Sequence, residues 1–291
     1  MASTMQWRRE GEVLPPAPAG GADSLRAWRP WVLEEDDGTL RMWYTGHDGS
    51  TGRILEAVKP PGRPWRRLGI AVDVGSAGGT DAYGVESPCV VKVRGGYLMA
   101  YGGSDGESTR LHMAVSADGH RFESQGTIMQ REKEDALAAT HPCLLVTGER
   151  WWLFYSGYDG SNQGRRAAVL AAVSDSGASW DRLGSVLEPQ AGELAASHPC
   201  VLDVSLTLQM FYASDDGERV SIAMATSEDG IRWERRGITL APSGDGPDAL
   251  GAYTPCVVKN GEGSLRMWYA GRPAGDTELA YRILTASFPG P

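Results

Sequence analysis

Short apolar runs recur along the chain at even spacing, and each starts at a proline: RPWVLEE from Arg29, SPCVVKV from Ser87, HPCLLVT from His141, HPCVLDV from His198 and TPCVVKN from Thr254. A second segment follows each run, with an aromatic centre and a small-residue end: LRMWYTG, YLMAYGG, WWLFYSG, LQMFYAS and LRMWYAG. The third segment alternates apolar and polar positions, as in RLHMAVS and VSIAMATS, which is the period-two signature of a half-buried strand. A fourth begins at an aromatic with a glycine four residues on, at Trp65/Gly69, Phe122/Gly126, Trp180/Gly184 and Trp233/Gly237. The turns SADG, SDSG and SEDG separate the last two segments and supply Asp and Gly, which tolerate the left-handed backbone of a tight hairpin.

The prolines Pro30, Pro88, Pro142, Pro199 and Pro255 stand 58, 54, 57 and 56 residues apart, the scale of architectures whose repeating unit is one small sheet. Four antiparallel strands per repeat predict an all-β fold, a five-bladed β-propeller. The last repeat stops after its third strand, near Tyr281 to Ser287. Its missing strand is expected at the other end of the chain, because Trp7, Gly11 and Leu14 reproduce the spacing of Trp233, Gly237 and Leu240. Residues 7–14 would thus complete the blade of residues 255–287 and close a ring, leaving no open sheet edge and making 1–291 one domain.

Composition narrows the function classes. An apolar share of 41% suits a packed core, and no stretch of about 18 apolar residues reads as a membrane span or export signal. The expected setting is cytoplasmic. A net charge of −9 with no basic run argues against nucleic acid as a partner. Four cysteines without a CxxC spacing suggest neither zinc nor redox chemistry. Cys89, Cys143, Cys200 and Cys256 instead occupy one equivalent place in four repeats, as small buried hydrophobes do. A Cys–His nucleophile is disfavoured because a proline separates each pair. No cofactor is implied, and the expected partner is a small-molecule substrate.

Candidate chemistry lies where the repeat is broken. In a propeller the start of strand one and the end of strand two of every blade reach the same mouth of the central channel. Directly before the prolines stand Arg29, Ser87, His141, His198 and Thr254, and one residue further back Trp28, Glu86, Thr140, Ser197 and Tyr253. His47, Asp48, Tyr158 and Arg272, at the ends of second strands, are expected to reach the same pocket. Asp81 belongs to a set with Asp23, Asp135 and Asp248, each seven residues before its proline, and reads as a loop cap that can also touch ligand. Glu86 is the candidate general acid or base, because a carboxylate in a concave, partly desolvated site can hold its proton near neutrality. His141 and His198 are candidates to share proton transfer. Glu86, His141 and His198 match a two-histidine, one-carboxylate metal set in composition, but three separate blades carry them and no metal is expected.

The proline-led strand, the MWY-G strand and the S-x-D-G-x-x-W turn together resemble the five-bladed propeller superfamily of glycoside hydrolases that includes arabinanases, β-xylosidases, levansucrases and invertases, in families 43, 32, 68 and 130. The likeness spans nearly the whole chain. It implies a sugar-sized pocket, an acid Glu two residues before a blade's proline, which Glu86 matches, and an Asp directly before other prolines, which this chain lacks. Three classes of function remain open. One is an enzyme with a divergent site, doing glycosyl cleavage or a non-hydrolytic elimination, isomerisation or cyclisation. Another is a binding propeller without catalysis, whose sign would be Glu86 engaged by Arg29 with no facing carboxylate. The last is a protein interaction scaffold.

Overall fold

Twenty strands form among the residues described by the structure, a computed structural model covering 5–148, 150–204, 206–260, 263–276 and 279–290. After β1 (Arg8–Leu14) they run in fours: β2 (Arg26–Glu34), β3 (Leu40–His47), β4 (Gly52–Lys59) and β5 (Arg66–Val72); then β6 (Gly84–Val93), β7 (Gly96–Ser104), β8 (Thr109–Ser116) and β9 (Glu123–Thr127). The third group is β10 (Ala138–Thr147), β11 (Arg150–Tyr158), β12 (Ala167–Ser174) and β13 (Asp181–Leu187), and the fourth is β14 (Ala195–Val204), β15 (Thr207–Asp215), β16 (Val220–Ser227) and β17 (Glu234–Leu240). The fifth has β18 (Gly251–Lys259), β19 (Leu265–Arg272) and β20 (Arg282–Phe288), and β1 pairs antiparallel with β20, Arg8 opposite Ser287 and Leu14 opposite Ile283. Within each unit the strands pair in antiparallel sequence. Helix is confined to a few single turns, and among the described residues no helix is long and apolar enough to cross a membrane.

The first strand of each unit packs against the first strand of the next, from β2 through β6, β10 and β14 to β18, and β18 packs against β2. The cysteine positions explain how closely they approach. The Sγ of Cys89 accepts the Leu144 amide at 3.0 Å, Cys143 that of Val201 at 3.2 Å, Cys200 that of Val257 at 3.3 Å and Cys256 that of Val32 at 3.2 Å. A thiol is small enough to let two backbones meet and still receives the amide that the meeting buries. In unit 1 the same place holds Trp31, whose indole donates to Val90 O at 2.8 Å and whose ring touches all five hydrophobic clusters of the molecule. One side chain thereby fills the centre where the first strands converge.

The aspartates seven residues before the prolines serve the scaffold. Asp23 accepts Tyr44 Oη at 2.9 Å and Arg67 Nε at 2.8 Å; Asp248 accepts Tyr269 Oη at 2.9 Å and Arg9 Nε at 2.8 Å; Asp135 accepts Arg182 at 2.9 Å. In unit 4 that place is Gly192, and Glu193 supplies the carboxylate for Arg235 at 2.9 Å instead. Each arginine comes from the fourth strand and also donates to a carbonyl just beyond the preceding unit's fourth strand: Pro15, Gln130, Glu188 or Ala241. A buried carboxylate is tolerable only with such charge-assisted partners, and these also tie neighbouring units together. Unit 2 lacks the arginine; Ser124 stands there and meets Tyr101 Oη at 2.9 Å.

Deleting residues 1–14 removes β1, the buried Trp7 and Leu14 and the Arg9–Asp248 pair, and leaves β20 with an open edge. The truncated protein should lose cooperative thermal unfolding and its solubility; an unchanged melting temperature would show that β1 adds nothing to the core.

Candidate functional site

All five residues before the prolines have left-handed backbone: φ is 53° at Arg29, 55° at Ser87, 51° at His141, 57° at His198 and 49° at Thr254. None is glycine, and an L-residue held there costs about 1 to 2 kcal/mol. The proline ring already disfavours right-handed helical backbone for the residue before it. Each of the five also lies in a β-bulge, where the register with the second strand slips between Trp28 and Trp31, Glu86 and Cys89, Thr140 and Cys143, Ser197 and Cys200, and Tyr253 and Cys256. A bulge re-aims the side chain that it contains. Hydroxyls of the preceding unit hold two of the bulges, Thr45 Oγ1 accepting the Ser87 amide at 2.9 Å and Ser156 Oγ the His198 amide at 2.8 Å. The five residues, their prolines and Trp31 line one recess that opens to solvent at its mouth.

Its polar groups are underused. The His141 and His198 rings lie 3.6 Å apart between centroids, and neither nitrogen of the buried His141 has a hydrogen-bond partner. Ser87 Oγ and Thr254 Oγ1 are likewise buried without partners, whereas Ser197 Oγ meets His198 Nδ1 at 2.7 Å. Desolvation pushes His198 down to about 3, helped by the Arg29 charge, and burial, His198 and Arg29 push His141 well down. Both imidazoles are therefore neutral at pH 7, each with one nitrogen that donates and one that accepts a hydrogen bond. Arg29 forms an ion pair with Glu86, whose Oε1 also accepts Thr140 Oγ1 at 2.9 Å. Burial raises the Tyr158 phenol, which stands in the fields of Arg29, Glu86 and Asp215.

An aromatic wall borders this centre. The Trp28 ring has Arg29 Cζ at 4.5 Å, Arg26 Cζ at 4.8 Å and the Tyr281 ring at 4.8 Å; Tyr253 meets Tyr281 edge-on at 5.2 Å. Burial and the neighbouring Tyr281 push Tyr253 up to about 12. Arg272 is tied to Asp276 at 3.2 Å.

The residues singled out in the sequence fall into two sets. Arg29, His141, His198 and Thr254 line the recess, with Glu86 held against Arg29 and Trp28 beside it. Asp81 faces elsewhere: it is buried, accepts Tyr101 Oη at 3.0 Å and has His112 Nδ1 at 3.8 Å. Asp48 accepts the Ser50 and Thr51 amides at 2.8 and 2.9 Å and pairs with Arg53 at 3.0 Å, which makes it a turn residue. His47 Nδ1 accepts the Gly49 amide at 2.9 Å in the same turn. Among the described residues no group of three His, Cys, Asp or Glu is placed to hold a metal ion.

Three neighbours of the site lie outside the sequence-based selection. Asp215 ends β15 as Tyr158 ends β11, Tyr281 directly precedes β20, and Arg26 stands four residues before its proline. The signal for Arg26 is plain once the units are aligned, because the equivalent residues are Gly84, Ala138, Ala195 and Gly251.

The sequence matches no protein-family profile. Two uncharacterized proteins of Mycobacterium tuberculosis, MT1551 and Rv1502, are 25% and 24% identical to it over 96% of this chain and 99% of their own length. Among solved structures, a BT0996–RGII complex superposes with a TM-score of 0.80 at 17% identity, covering 99% of this chain and 93% of its counterpart. A thermostable family-43 glycoside hydrolase gives 0.72 at 15% identity, covering 95% and 96% of the two chains. The fold is that of the propeller glycoside hydrolases. A structure from family 130, whose mannoside phosphorylases include glycoside hydrolases that target β-1,2-mannosidic linkages in Candida mannan, agrees at 0.77 and 13% identity over 100% of this chain and 95% of that one. Asp81 and Asp48 are held by scaffold hydrogen bonds, and Arg26 stands against the Trp28 ring beside the recess.

The neutral histidines have a measurable consequence. An unfolded histidine takes its proton near pH ~6.5, and His198 only near 3. Between those values the unfolded chain holds the extra proton, so stability falls as pH drops, by at most about 1.4 kcal/mol per pH unit for one histidine. Replacing His198 with Gln should flatten the fall in urea stability between pH 6 and pH 4; a slope equal to that of the parent protein would mean that His198 protonates freely.

Proposed function

We propose that the protein is a five-bladed propeller, closed by its N-terminal strand into one unit over residues 1–291, that acts on a sugar-sized polar substrate in the recess at the centre of one face. The observation that carries this reading is the set of five left-handed residues before the prolines. Strain repeated at five equivalent places has no use in a scaffold that only packs, and here every copy points its side chain into one recess. Buried, unpartnered polar atoms of Ser87, His141 and Thr254 around that recess call for an occupant with hydrogen bonds of its own.

In this reading Glu86 is the proton-transfer group. Arg29 and Thr140 fix its orientation and hold it as an acceptor, while neutral His141 offers one donor and one acceptor nitrogen at the floor. Hydrolysis through two carboxylates needs a second one about 5 to 9 Å away. Asp215, at the end of β15, does not fill that role, because its Oδ1 accepts the Gly217 amide at 2.7 Å and its Oδ2 faces Arg165 at 3.8 Å.

A second reading, a carbohydrate-binding propeller without catalysis, is favoured by the engagement of both Glu86 oxygens and by a recess lining that, among the described residues, contains no carboxylate. Glu86→Gln separates the two. If Glu86 transfers protons, the variant keeps its fold and ligand affinity and loses roughly 10²- to 10⁴-fold in kcat on whichever aryl glycoside the parent protein cleaves. Turnover equal to that of the parent would remove Glu86 from the chemistry. A parent protein that binds sugars and turns over none of them would establish the binding reading.

A further inference from the structure

The wall between units 1 and 5 carries more hydrogen-bond donors than it can satisfy. Arg26 Nε is buried without a partner, and so is Trp28 Nε1 beside it. An arginine and an indole donate only; neither can be satisfied by another donor. The charges around them do not supply the missing acceptor. Arg29 is taken by Glu86, Arg272 by Asp276 and Arg53 by Asp48 and Asp73, whereas Arg26 forms no ion pair among the described residues. His47, opposite Arg26 on β3, turns its Nδ1 to its own turn. One guanidinium of positive charge is thus left over beside the recess. Burial lowers the Arg26 pKa and Arg29 adds to this, outweighing the opposing fields of Tyr281 and Asp276, whereas a directly bonded carboxylate raises it at Arg9, Arg67 and Arg182. A half-buried cation without an ion-pair partner is costly, and the Trp28 ring, 4.8 Å from Arg26 Cζ, offsets part of that cost but supplies no hydrogen-bond acceptor; the other units have glycine or alanine at this place.

We infer that the ligand is an anionic sugar whose charged, acceptor-only group is received by Arg26 and Trp28 Nε1, with Tyr253 and Tyr281 flanking its ring. This rests on the sugar-directed reading of the recess and narrows it to a class of substrate. A uronate carboxylate and a sugar phosphoryl group share the required chemistry: full negative charge, several acceptor oxygens, and geometry suited to an arginine fork. A neutral sugar brings hydroxyls that can each serve one donor but leaves the charge of Arg26 unmatched.

The test is a set of titrations of the full-length protein by NMR or calorimetry with glucuronate against glucose, galacturonate against galactose, glucose 6-phosphate, and inorganic phosphate alone. At least one acidic sugar should bind roughly 10-fold or more tightly than its neutral counterpart, the usual worth of a hydrogen-bonded charge pair. Arg26→Gln should cancel that preference, and Arg26→Lys, which keeps the charge, should retain part of it. Preference for glucose 6-phosphate over glucuronate supports the phosphoryl form of the same proposal. Neutral sugars binding as well as acidic ones would overturn it while leaving the sugar-directed function intact, and so would a preference that survives Arg26→Gln. Inorganic phosphate binding as tightly as the sugar phosphate would also overturn it, because the site would then read charge alone. If no sugar binds, acidic or neutral, the proposed function fails and this inference falls with it.

Discussion

The recess of this molecule rests on one backbone constraint, the left-handed residue that precedes each of five prolines in a first strand. Proline removes the right-handed option for its predecessor, and the bulge removes the regular extended one, so the chain is left with a conformation that L-residues resist. The neighbouring proline holds it there, with a thiol contact one residue further on in four units and a hydroxyl of the preceding unit at Ser87 and His198. The result is a ring of side chains aimed into one recess, independent of what those side chains are. Variation at five positions can then change the chemistry of the recess without touching the sheets.

The separation between scaffold and site is visible residue by residue. The carboxylate, tyrosine and arginine that join neighbouring units recur in four units, and the thiol that lets first strands meet recurs in four. Where those sets are interrupted the replacement remains structural: Ser124 stands in for an arginine, and Trp31 for a cysteine. At the mouth only the backbone recurs in all five units. Arg29, Ser87, His141, His198 and Thr254 share one conformation but bring three different chemistries, a guanidinium, two hydroxyls and two imidazoles.

Much of the fold is legible in the sequence because a short strand announces itself locally. The period-two segments, the Ser-Asp-Gly turns and the spacing of the prolines place the strands, and Trp7, Gly11 and Leu14 mark β1 as the partner of β20 by likeness to β17. What the sequence hides is the partner of a polar residue. Asp81 and Asp23 look like loop caps because Tyr101, Tyr44 and Arg67 lie 20 to 44 residues away along the chain, and only the folded units bring them together. The same limit applies at the site. Arg29, Glu86, His141 and His198 are legible as breaks in a repeat, and Arg26 is a break of the same kind four residues before its proline. That Arg29 consumes the charge of Glu86 while Arg26 keeps its own is a matter of geometry between units.

Thr254 gives the most direct test of the central constraint, since a β-branched residue with φ of 49° is the least comfortable of the five. Thr254→Ala and Thr254→Gly both delete the hydroxyl and the methyl, so comparing their denaturant stabilities isolates the backbone. If the position is held left-handed in solution, the glycine variant is the more stable by about 1 kcal/mol, because glycine carries no penalty there. An alanine variant equal to or more stable than the glycine variant, as in ordinary extended strand, would contradict the account.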